Sequence, residues 1–349
     1  PGRPIEEVAR EIGMSPGDIV KLASNESPEW PFPGVVEAIQ EAAQSSNRYP
    51  DSDVYDLTNA VAEHVGVDPD QLWFGAGSTG LLGSIALSLG GPATSAVYAW
   101  PSFVMYRIIS RWAATQAIEI PLDSSHVHDL NAMAASITPN TTVVYVCNPN
   151  NPSGTVVSGD RLEEFIDSVP DSALVVIDEA YHDFVADPSY RSMLTRAPQQ
   201  PNMVVLRTFS KIYGLASHRV GYAVGNAELL QRLRRTQAPF TVTSVAQAAA
   251  LASLGNTDEL RRRAEANAAG RRQLLGALDE RDLARADSQT NFVYFSLGDD
   301  SQELAREFTS RGVIIRPMSG GWVRVTVGTE PENQRFLEAL DSVMETITA

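Results

Sequence analysis

The middle of the chain repeats one pattern: a short apolar run rich in β-branched residues, then a stretch with helical character. The apolar runs span 95–100, 142–147, 174–178 and 203–207, with helical stretches such as 80–89 and 160–168 between them. Strands that alternate with helices in this way are typical of a mostly parallel sheet covered by helices on both faces. The sequence therefore predicts an α/β fold.

A second rhythm begins after about residue 245. Long charged helices are predicted at 258–283, 302–310 and 331–346, around three strands at 292–295, 313–316 and 323–327. This pattern indicates a smaller α+β domain. We expect a large domain over 35–245, a small domain over 246–349, and an N-terminal arm over 1–34. Prolines at 28, 31 and 33 favour an extended arm lying across the crevice.

The charge balance excludes some partners. With 27 basic and 43 acidic residues, the net charge of −16 opposes contact with nucleic acid or an anionic membrane surface. A few arginines in a cleft can still bind an anionic small molecule. No membrane span or basic-then-apolar leader is visible, and the single cysteine, Cys147, cannot form an internal disulfide, so a cytoplasmic location is expected.

Several of the apolar runs end in polar clusters. Residues 148–151 follow the second run, Asp178 and Glu179 end the third, and residues 208–211 follow the fourth. Because the carboxyl ends of parallel strands line the ligand crevice of an open α/β sheet, these clusters are expected to meet.

Lys211 stands among hydroxyl side chains, with Arg219 eight positions further on. An unperturbed amine is a poor nucleophile at neutral pH, and burial or a nearby cation lowers its pKa. Asp178 ends a buried-type strand, where a carboxylate is costly unless it is paired. Its partner could be a structural salt bridge, a helix N-terminus, or the protonated pyridine nitrogen of pyridoxal 5'-phosphate (PLP).

Three further segments are weak signals when each is taken alone. Residues 75–80 could present backbone N–H groups and hydroxyls to an anion at a helix start, although such glycines more often serve packing. Residues 150–154 have the composition of an ordinary turn. Phe103 could stack on a flat cofactor or simply belong to the core.

Taken together and in this order, these segments resemble the fold-type I PLP-dependent aminotransferases, over about residues 22–329. Within that class, the segments that look like the histidinol-phosphate aminotransferase family are residues 21–26, 47–51, 147–155, 178–181 and 207–211. The actinobacterial-type aromatic amino acid aminotransferases look equally similar. The resemblance implies a large PLP-binding domain, a smaller α+β C-terminal domain, and a homodimer with shared active sites.

The resemblance also implies a role for each site residue. Lys211 would hold PLP as a Schiff base and then, as the free amine, move a proton between the substrate Cα and C4′ of the cofactor. Asp178 would pair with the pyridine N–H, Asn151 and Tyr181 would bond the phenolic oxygen, and Phe103 would stack on the ring. The cofactor phosphate would be held by Gly77, Ser78, Thr79, Thr208, Ser210 and Arg219, with Tyr49 reaching it from the partner subunit. Asn25, Arg316 and Arg324 would bind the substrate, and no metal site is implied.

Some positions depart from the family pattern. The segment 27–31 has Glu29 and Trp30 where an aromatic residue and Gly are usual, and Ser217-His218 precede Arg219 where Gly and an apolar residue are common. The leading hypothesis is amino transfer from histidinol phosphate to 2-oxoglutarate in histidine biosynthesis. Alternatives are an aromatic amino acid aminotransferase and, less favoured, a PLP-dependent decarboxylase, because one scaffold hosts several chemistries.

Overall fold

The computed structural model describes residues 4–298 and 301–348 of the chain; residues 1–3, 299–300 and 349, at the edges of the predicted arm and inside the predicted small domain, lie outside the described part. The α-helices are α1 Ile5–Ile12, α2 Val35–Ala43, α3 Tyr55–Val65, α4 Gly77–Leu89, α5 Met105–Trp112, α6 Leu130–Ala135, α7 Gly159–Ser168, α8 Ala227–Leu233, α9 Ser244–Leu254, α10 Thr257–Asp279, α11 Ser301–Ser310 and α12 Glu330–Thr348. The strands are β1 Val20–Lys21, β2 Leu72–Gly75, β3 Ser95–Trp100, β4 Gln116–Pro121, β5 Thr141–Cys147, β6 Leu174–Asp178, β7 Met203–Thr208, β8 Gly221–Gly225, β9 Phe292–Ser296, β10 Val313–Ile314, β11 Arg316–Pro317 and β12 Trp322–Thr326.

A seven-stranded sheet forms the centre of the large domain, in the order β2-β8-β7-β6-β5-β3-β4. The five neighbouring strands β7, β6, β5, β3 and β4 run parallel to one another, while β8 is antiparallel to both of its neighbours, β2 and β7. The mostly parallel sheet is therefore confirmed. Successive residues of β6 alternate between two apolar cores, with Val175 and Ile177 in one and Leu174 and Val176 in the other, because strand side chains point to opposite faces in turn.

A smaller core lies beside a three-stranded antiparallel sheet of order β11-β12-β9. Helices α10, α11 and α12 contribute to it. The prediction of one continuous strand at 313–316 is wrong, because the segment forms two short strands. Val313 and Ile314 pair with β1 of the N-terminal arm, whereas Arg316 and Pro317 pair with β12, so the segment changes partner at Ile315.

The N-terminal arm joins the two cores, and it is only partly extended because residues 5–12 form helix α1. Val20 and Leu22 are buried in the smaller core, and Phe32 and Val35 in the larger one. The segment between them crosses the junction of the two domains.

Helix α9 packs against α2 and α3, and its Ala246, Ala249 and Ala250 are fully buried in the large core. This packing places α9 with the seven-stranded sheet, while the predicted domain boundaries stay a proposal. No helix within residues 4–298 and 301–348 is long and apolar enough to cross a membrane.

Candidate active site

The polar clusters meet at the carboxyl edge of the large sheet. Cys147 and Leu206 are in register with Asp178 on either side, and the Asn148 N–H donates to the Asp178 carbonyl at 3.0 Å. Glu179 continues the ladder with a 2.9 Å bond to the Leu206 carbonyl. The residues after three neighbouring strands thereby face one crevice, as the ends of parallel strands do.

Asp178 is a buried carboxylate, 1% exposed. It accepts hydrogen bonds from the Ala180 N–H at 3.2 Å and from the Tyr106 hydroxyl at 3.3 Å. Burial raises its pKa to about 6, more than these two donors lower it. Within the described residues no cationic side chain forms an ion pair with it, so the structural salt bridge considered from the sequence is not found there. A cationic ring nitrogen is the partner that this carboxylate can accept.

Tyr181 lies at the centre of a second group. Its hydroxyl oxygen accepts hydrogen bonds from the side-chain amides of Asn25, at 2.9 Å, and Asn151, at 3.3 Å. Both partners are N–H donors, so the tyrosine O–H is left to donate to an oxygen in the crevice. Burial raises the Tyr181 pKa, so this hydroxyl keeps its proton at neutral pH.

Lys211 brings a half-buried amine to the same place. Its Nζ donates to the Asn25 carbonyl at 3.2 Å and lies 5.3 Å from the centre of the Tyr181 ring. Burial is the main cause that lowers its pKa to about 8, and the positive charges of Arg324 and Arg219 add to it. A larger fraction of this amine is therefore an uncharged nucleophile at neutral pH than for an exposed lysine.

An anion site can form where helix α4 begins. Gly77 is left-handed, with φ +70°, and a Cβ built on it would lie 2.5 Å from Arg219 Nη2. Only glycine leaves room for the guanidinium here. Arg219 donates to the Ala76 carbonyl at 3.5 Å and to the Ser210 hydroxyl at 3.3 Å.

Hydroxyl groups complete this anion site. Thr208 Oγ1 donates to Ser210 Oγ at 2.9 Å, and Ser78, 8% exposed, occupies the first turn of the 13-residue helix α4. The N-terminus of a helix favours negative charge, so it and the neighbouring guanidinium suit a phosphate. Thr79 is in the same turn of α4.

The small domain supplies the opposite wall. Arg324 donates from Nη1 to Asn151 Oδ1 at 2.6 Å and from Nη2 to the Ala23 carbonyl at 2.9 Å, while its buried Nε has no hydrogen-bond partner in the described part of the chain. Burial lowers its pKa to about 10, so it remains charged at neutral pH. Arg316 lies directly opposite Arg324 in the antiparallel pairing of β11 and β12.

Two predicted cofactor residues are less closely tied to this group. Phe103 packs edge-on against Tyr106 with ring centres 5.8 Å apart, and Tyr106 in turn donates to Asp178. Tyr49 is 83% exposed and stacks on Phe240 at 4.8 Å, with no contact to the site of its own chain among the described residues.

Three residues of the site were missed by the sequence reasoning. Tyr106 bonds Asp178, Thr326 accepts the Asn25 N–H at 2.9 Å, and Asn291 donates to the Asn25 carbonyl at 3.2 Å. A weak signal existed for Tyr106, because it lies three positions after Phe103 at a helix start. Thr326 and Asn291 had none, because their partner is far away in the sequence.

The three features together fit PLP. An unpaired buried carboxylate suits the ring nitrogen, an amine of lowered pKa suits the aldehyde, and the start of α4 with Arg219 suits the phosphate. Fold and site define a fold-type I PLP-dependent aminotransferase.

Comparison with known proteins agrees. The family model described as aminotransferase class I and II matches residues 17–340, and the chain belongs to this family. An aromatic amino acid aminotransferase from Streptomyces avermitilis is 42% identical over 92% of this chain and 89% of its own length. A histidinol-phosphate aminotransferase from Akkermansia muciniphila is 42% identical over 99% of this chain and 95% of its own.

A solved structure has the same fold. The crystal structure of histidinol-phosphate aminotransferase from Sinorhizobium meliloti in complex with pyridoxal-5'-phosphate superposes with a TM-score of 0.90 at 26% identity, covering 99% of this chain and 96% of the other.

Proposed function

We propose that the protein transfers the amino group of histidinol phosphate to 2-oxoglutarate by ping-pong transamination, as a step of histidine biosynthesis. The observation that carries this proposal is the pair of arginines on the small-domain wall. Residues directly opposite each other on antiparallel strands point to the same face, so Arg316 and Arg324 share one surface.

In the described part of the chain, neither arginine is neutralised by a carboxylate. Arg324 there donates to the neutral oxygens of Asn151 and Ala23, and Arg316 forms no ion pair. Two guanidinium groups suit a dianionic phosphate better than a single carboxylate, because each planar fork can donate to two oxygens. Relatives named histidinol-phosphate aminotransferase match almost the full chain, which supports the same substrate.

When bound, PLP supplies an electron sink that stabilises negative charge at the substrate α-carbon. In this proposal, Asp178 would accept a hydrogen bond from the ring nitrogen and favour its protonated form. Tyr181 would donate its free O–H to the phenolic oxygen, with Asn151 beside it. The Lys211 Nζ, whose pKa is lowered to about 8, would accept the proton from the substrate Cα and later release it.

The remaining cofactor contacts follow from the anion site at α4. Gly77, Ser78, Thr79, Thr208, Ser210 and Arg219 would hold the phosphate, and Phe103 would cover the ring. We further propose a homodimer in which the exposed Tyr49 reaches the phosphate bound by the partner subunit, since among the described residues it makes no contact with the site of its own chain. We place the reaction in the cytoplasm, and the buried, unpaired Cys147 agrees with a reducing compartment.

A second candidate substrate is an aromatic amino acid. Trp322 lies two residues before Arg324 on the same face of β12, and it stacks on Tyr294 with ring centres 4.6 Å apart. His126 of the large domain packs edge-on against Trp322 at 4.3 Å. A flat aromatic surface beside an arginine could also receive a phenyl ring and a carboxylate, and the Streptomyces relative carries that name.

The test is a comparison of kcat/KM for histidinol phosphate, phenylalanine and tyrosine, with 2-oxoglutarate as acceptor and PLP-loaded protein. We expect histidinol phosphate to be preferred by at least about 100-fold, because losing a buried charged contact is costly. A preference for the aromatic acids would instead make Arg324 a carboxylate site. Turnover of none of the three would refute both substrates while leaving the aminotransferase class intact.

A further inference from the structure

Asn25 has an unusual conformation for a non-glycine residue. It is 1% exposed, and its φ of +55° is left-handed. Asparagine tolerates this region better than most residues, but it still requires support. The support comes from both ends of the residue: its N–H donates to Thr326, and its side-chain amide donates to Tyr181.

The strained conformation presents the Asn25 carbonyl to two donors. Lys211 Nζ and Asn291 Nδ2 each donate to this oxygen at 3.2 Å. A carbonyl oxygen has two lone pairs, so the two bonds use its full capacity. The catalytic lysine and a small-domain amide therefore share one acceptor.

Asn291 makes little other use of its side chain. It is 3% exposed and immediately precedes β9, and its Oδ1 has no hydrogen-bond partner in the described part of the chain. A cavity of about 450 Å³ is lined by both Asn291 and Lys211, together with arm residues such as Ser27 and Glu29. A buried amide with one unmet acceptor is costly, so a purely structural role explains this residue poorly.

We propose that Asn291 is a positioning residue for the reaction: its amide fixes the Asn25 carbonyl, and that carbonyl holds the Lys211 amine in the orientation that proton transfer needs. The inference rests on the proposed role of Lys211. It deepens that role by naming what orients the amine.

The orientation has a direct chemical meaning. An amine that donates one N–H to a fixed carbonyl directs its lone pair away from that oxygen. The charged groups that act on Lys211 are Arg324 and Arg219, which disfavour its proton, and Glu26 and Asp178, which favour it. The Asn25 carbonyl is neutral, and it fixes direction where these charges do not.

The main test replaces Asn291 with leucine, which has a similar volume and no donor. We expect kcat to fall about 10- to 100-fold with little change in KM for either substrate, since a small misplacement of a catalytic group has effects of this size. Asn267→Leu is the matched control. Asn267 lines the same cavity but donates to the Thr290 carbonyl. The kcat of Asn267→Leu should therefore stay within about 2-fold of that of the parent protein.

A second readout needs no bound cofactor. The chain contains two lysines, Lys21 and Lys211, so amine labelling of the apoprotein across pH, read by mass spectrometry, reports on Lys211 with Lys21 as internal reference. In Asn291→Leu the Asn25 carbonyl is still present but is no longer held in place. Its weaker contact with the amine should lower the labelling pKa of Lys211 by about one unit, because a fixed acceptor favours the protonated amine. The Asn267→Leu protein should label like the parent.

A third readout separates orientation from general damage. In a Lys211→Ala protein rescued by methylamine, Asn291→Leu should alter turnover by less than about 2-fold, because the side chain it orients is gone. An equal loss in both backgrounds, or an unshifted labelling pKa with unchanged kcat, would overturn the proposal. If Asn291→Leu lowers the thermal midpoint strongly, Asn291→Ser takes its place under the same criteria.

The failure of the proposed function has a different signature. Substantial unassisted turnover by Lys211→Ala would remove the lysine from the mechanism. Normal behaviour of Asn291→Leu beside an inactive Lys211→Ala would refute only the role of Asn291.

Discussion

The two walls of the active site are built differently. The proposed cofactor wall consists of the ends of strands in a seven-stranded sheet, where the buried Asp178 and the half-buried Lys211 both have hydrogen-bond partners. The substrate wall belongs to a short three-stranded sheet, where Arg324 keeps an unused Nε and Arg316 forms no ion pair among the described residues. Among the described residues, arginine N–H groups of the substrate wall lack partners, whereas Asp178 and Lys211 on the cofactor wall are held by hydrogen bonds. We therefore propose that the substrate wall sets which substrate binds and the cofactor wall sets the chemistry.

This contrast matches the pattern among relatives. Proteins named for histidinol phosphate and for aromatic amino acids reach the same identity to this chain, 42%. A common chemistry can be kept by a rigid strand-end wall while a few residues on a smaller sheet change what is bound.

The largest effect should come from Lys211→Ala. Turnover is expected to fall by about 10⁴-fold, because both the nucleophile and the proton carrier are lost. Borohydride reduction followed by peptide mass mapping should find no cofactor-modified peptide. Lys21→Ala, which removes the other lysine from its ion pair with Glu26, is the control and should keep nearly full activity. High activity in Lys211→Ala would contradict the proposal that the cofactor wall carries the chemistry.

Asp178→Asn should lower kcat by about 10²-fold, because the ring nitrogen loses its anionic partner. In the apoprotein, by contrast, the same substitution should increase folding stability. The pKa of Asp178 is raised to about 6 in the folded state, above ~3.9 for an unfolded aspartate, so folding stability falls as pH rises through this window. At pH 7 the neutral asparagine should stabilise the apoprotein by up to about 3 kcal/mol, and the gain should vanish below about pH 4. Thermal midpoints of the two apoproteins at pH 4 and pH 7 measure this.

The substrate wall should respond in KM. Arg324→Ala is expected to raise KM for both anionic substrates by about 10- to 100-fold, and Arg316→Ala to raise it about 5- to 10-fold for histidinol phosphate alone, as expected for lost charged hydrogen bonds. Cofactor content, read by absorbance, should stay unchanged in both. Arg285→Ala is a control, since that arginine pairs with the exposed Asp279. Loss of PLP from Arg324→Ala would show that this arginine also supports cofactor binding, which would contradict the separation of the two walls.

The smallest effect is expected for Tyr49→Phe. Removing one hydroxyl from the proposed inter-subunit contact should weaken PLP binding about 3- to 10-fold, with kcat nearly constant. Titration of the apoprotein with PLP measures this, with Tyr55→Phe as the control because Tyr55 is similarly exposed, at 68%. Equal PLP affinity in the two variants would exclude Tyr49 from the site.

The sequence was informative where the structure is local. The strands 95–100 and 174–178 were predicted with their observed bounds, because continuous β-branched runs bounded by polar residues are typical of buried parallel strands. The segment 313–316 was not, since its division at Ile315 depends on two different partner strands. Such partner changes leave no periodic signal in one chain.

The same limit applies to the site. Lys211 and Asp178 follow strands and could be assigned from motifs. The role of Asn291 depends on Asn25, which is 266 positions away in the sequence, and on a left-handed backbone at Asn25 that no motif indicates. Contacts of this kind arise only when the two domains and the arm are assembled.

The course of the N-terminal arm has a mechanical consequence. Its two ends are anchored in different cores, through Leu22 on one side and Phe32 on the other, and Asn25 lies in the span between these anchors. We expect the span to act as a tether, so that a rotation of the smaller domain would pull on it and move the carbonyl oxygen to which Lys211 donates. Because Arg324 also donates to the Ala23 carbonyl within this tether, binding of the substrate anion by Arg324 would be linked to the orientation of Lys211 through one short piece of chain.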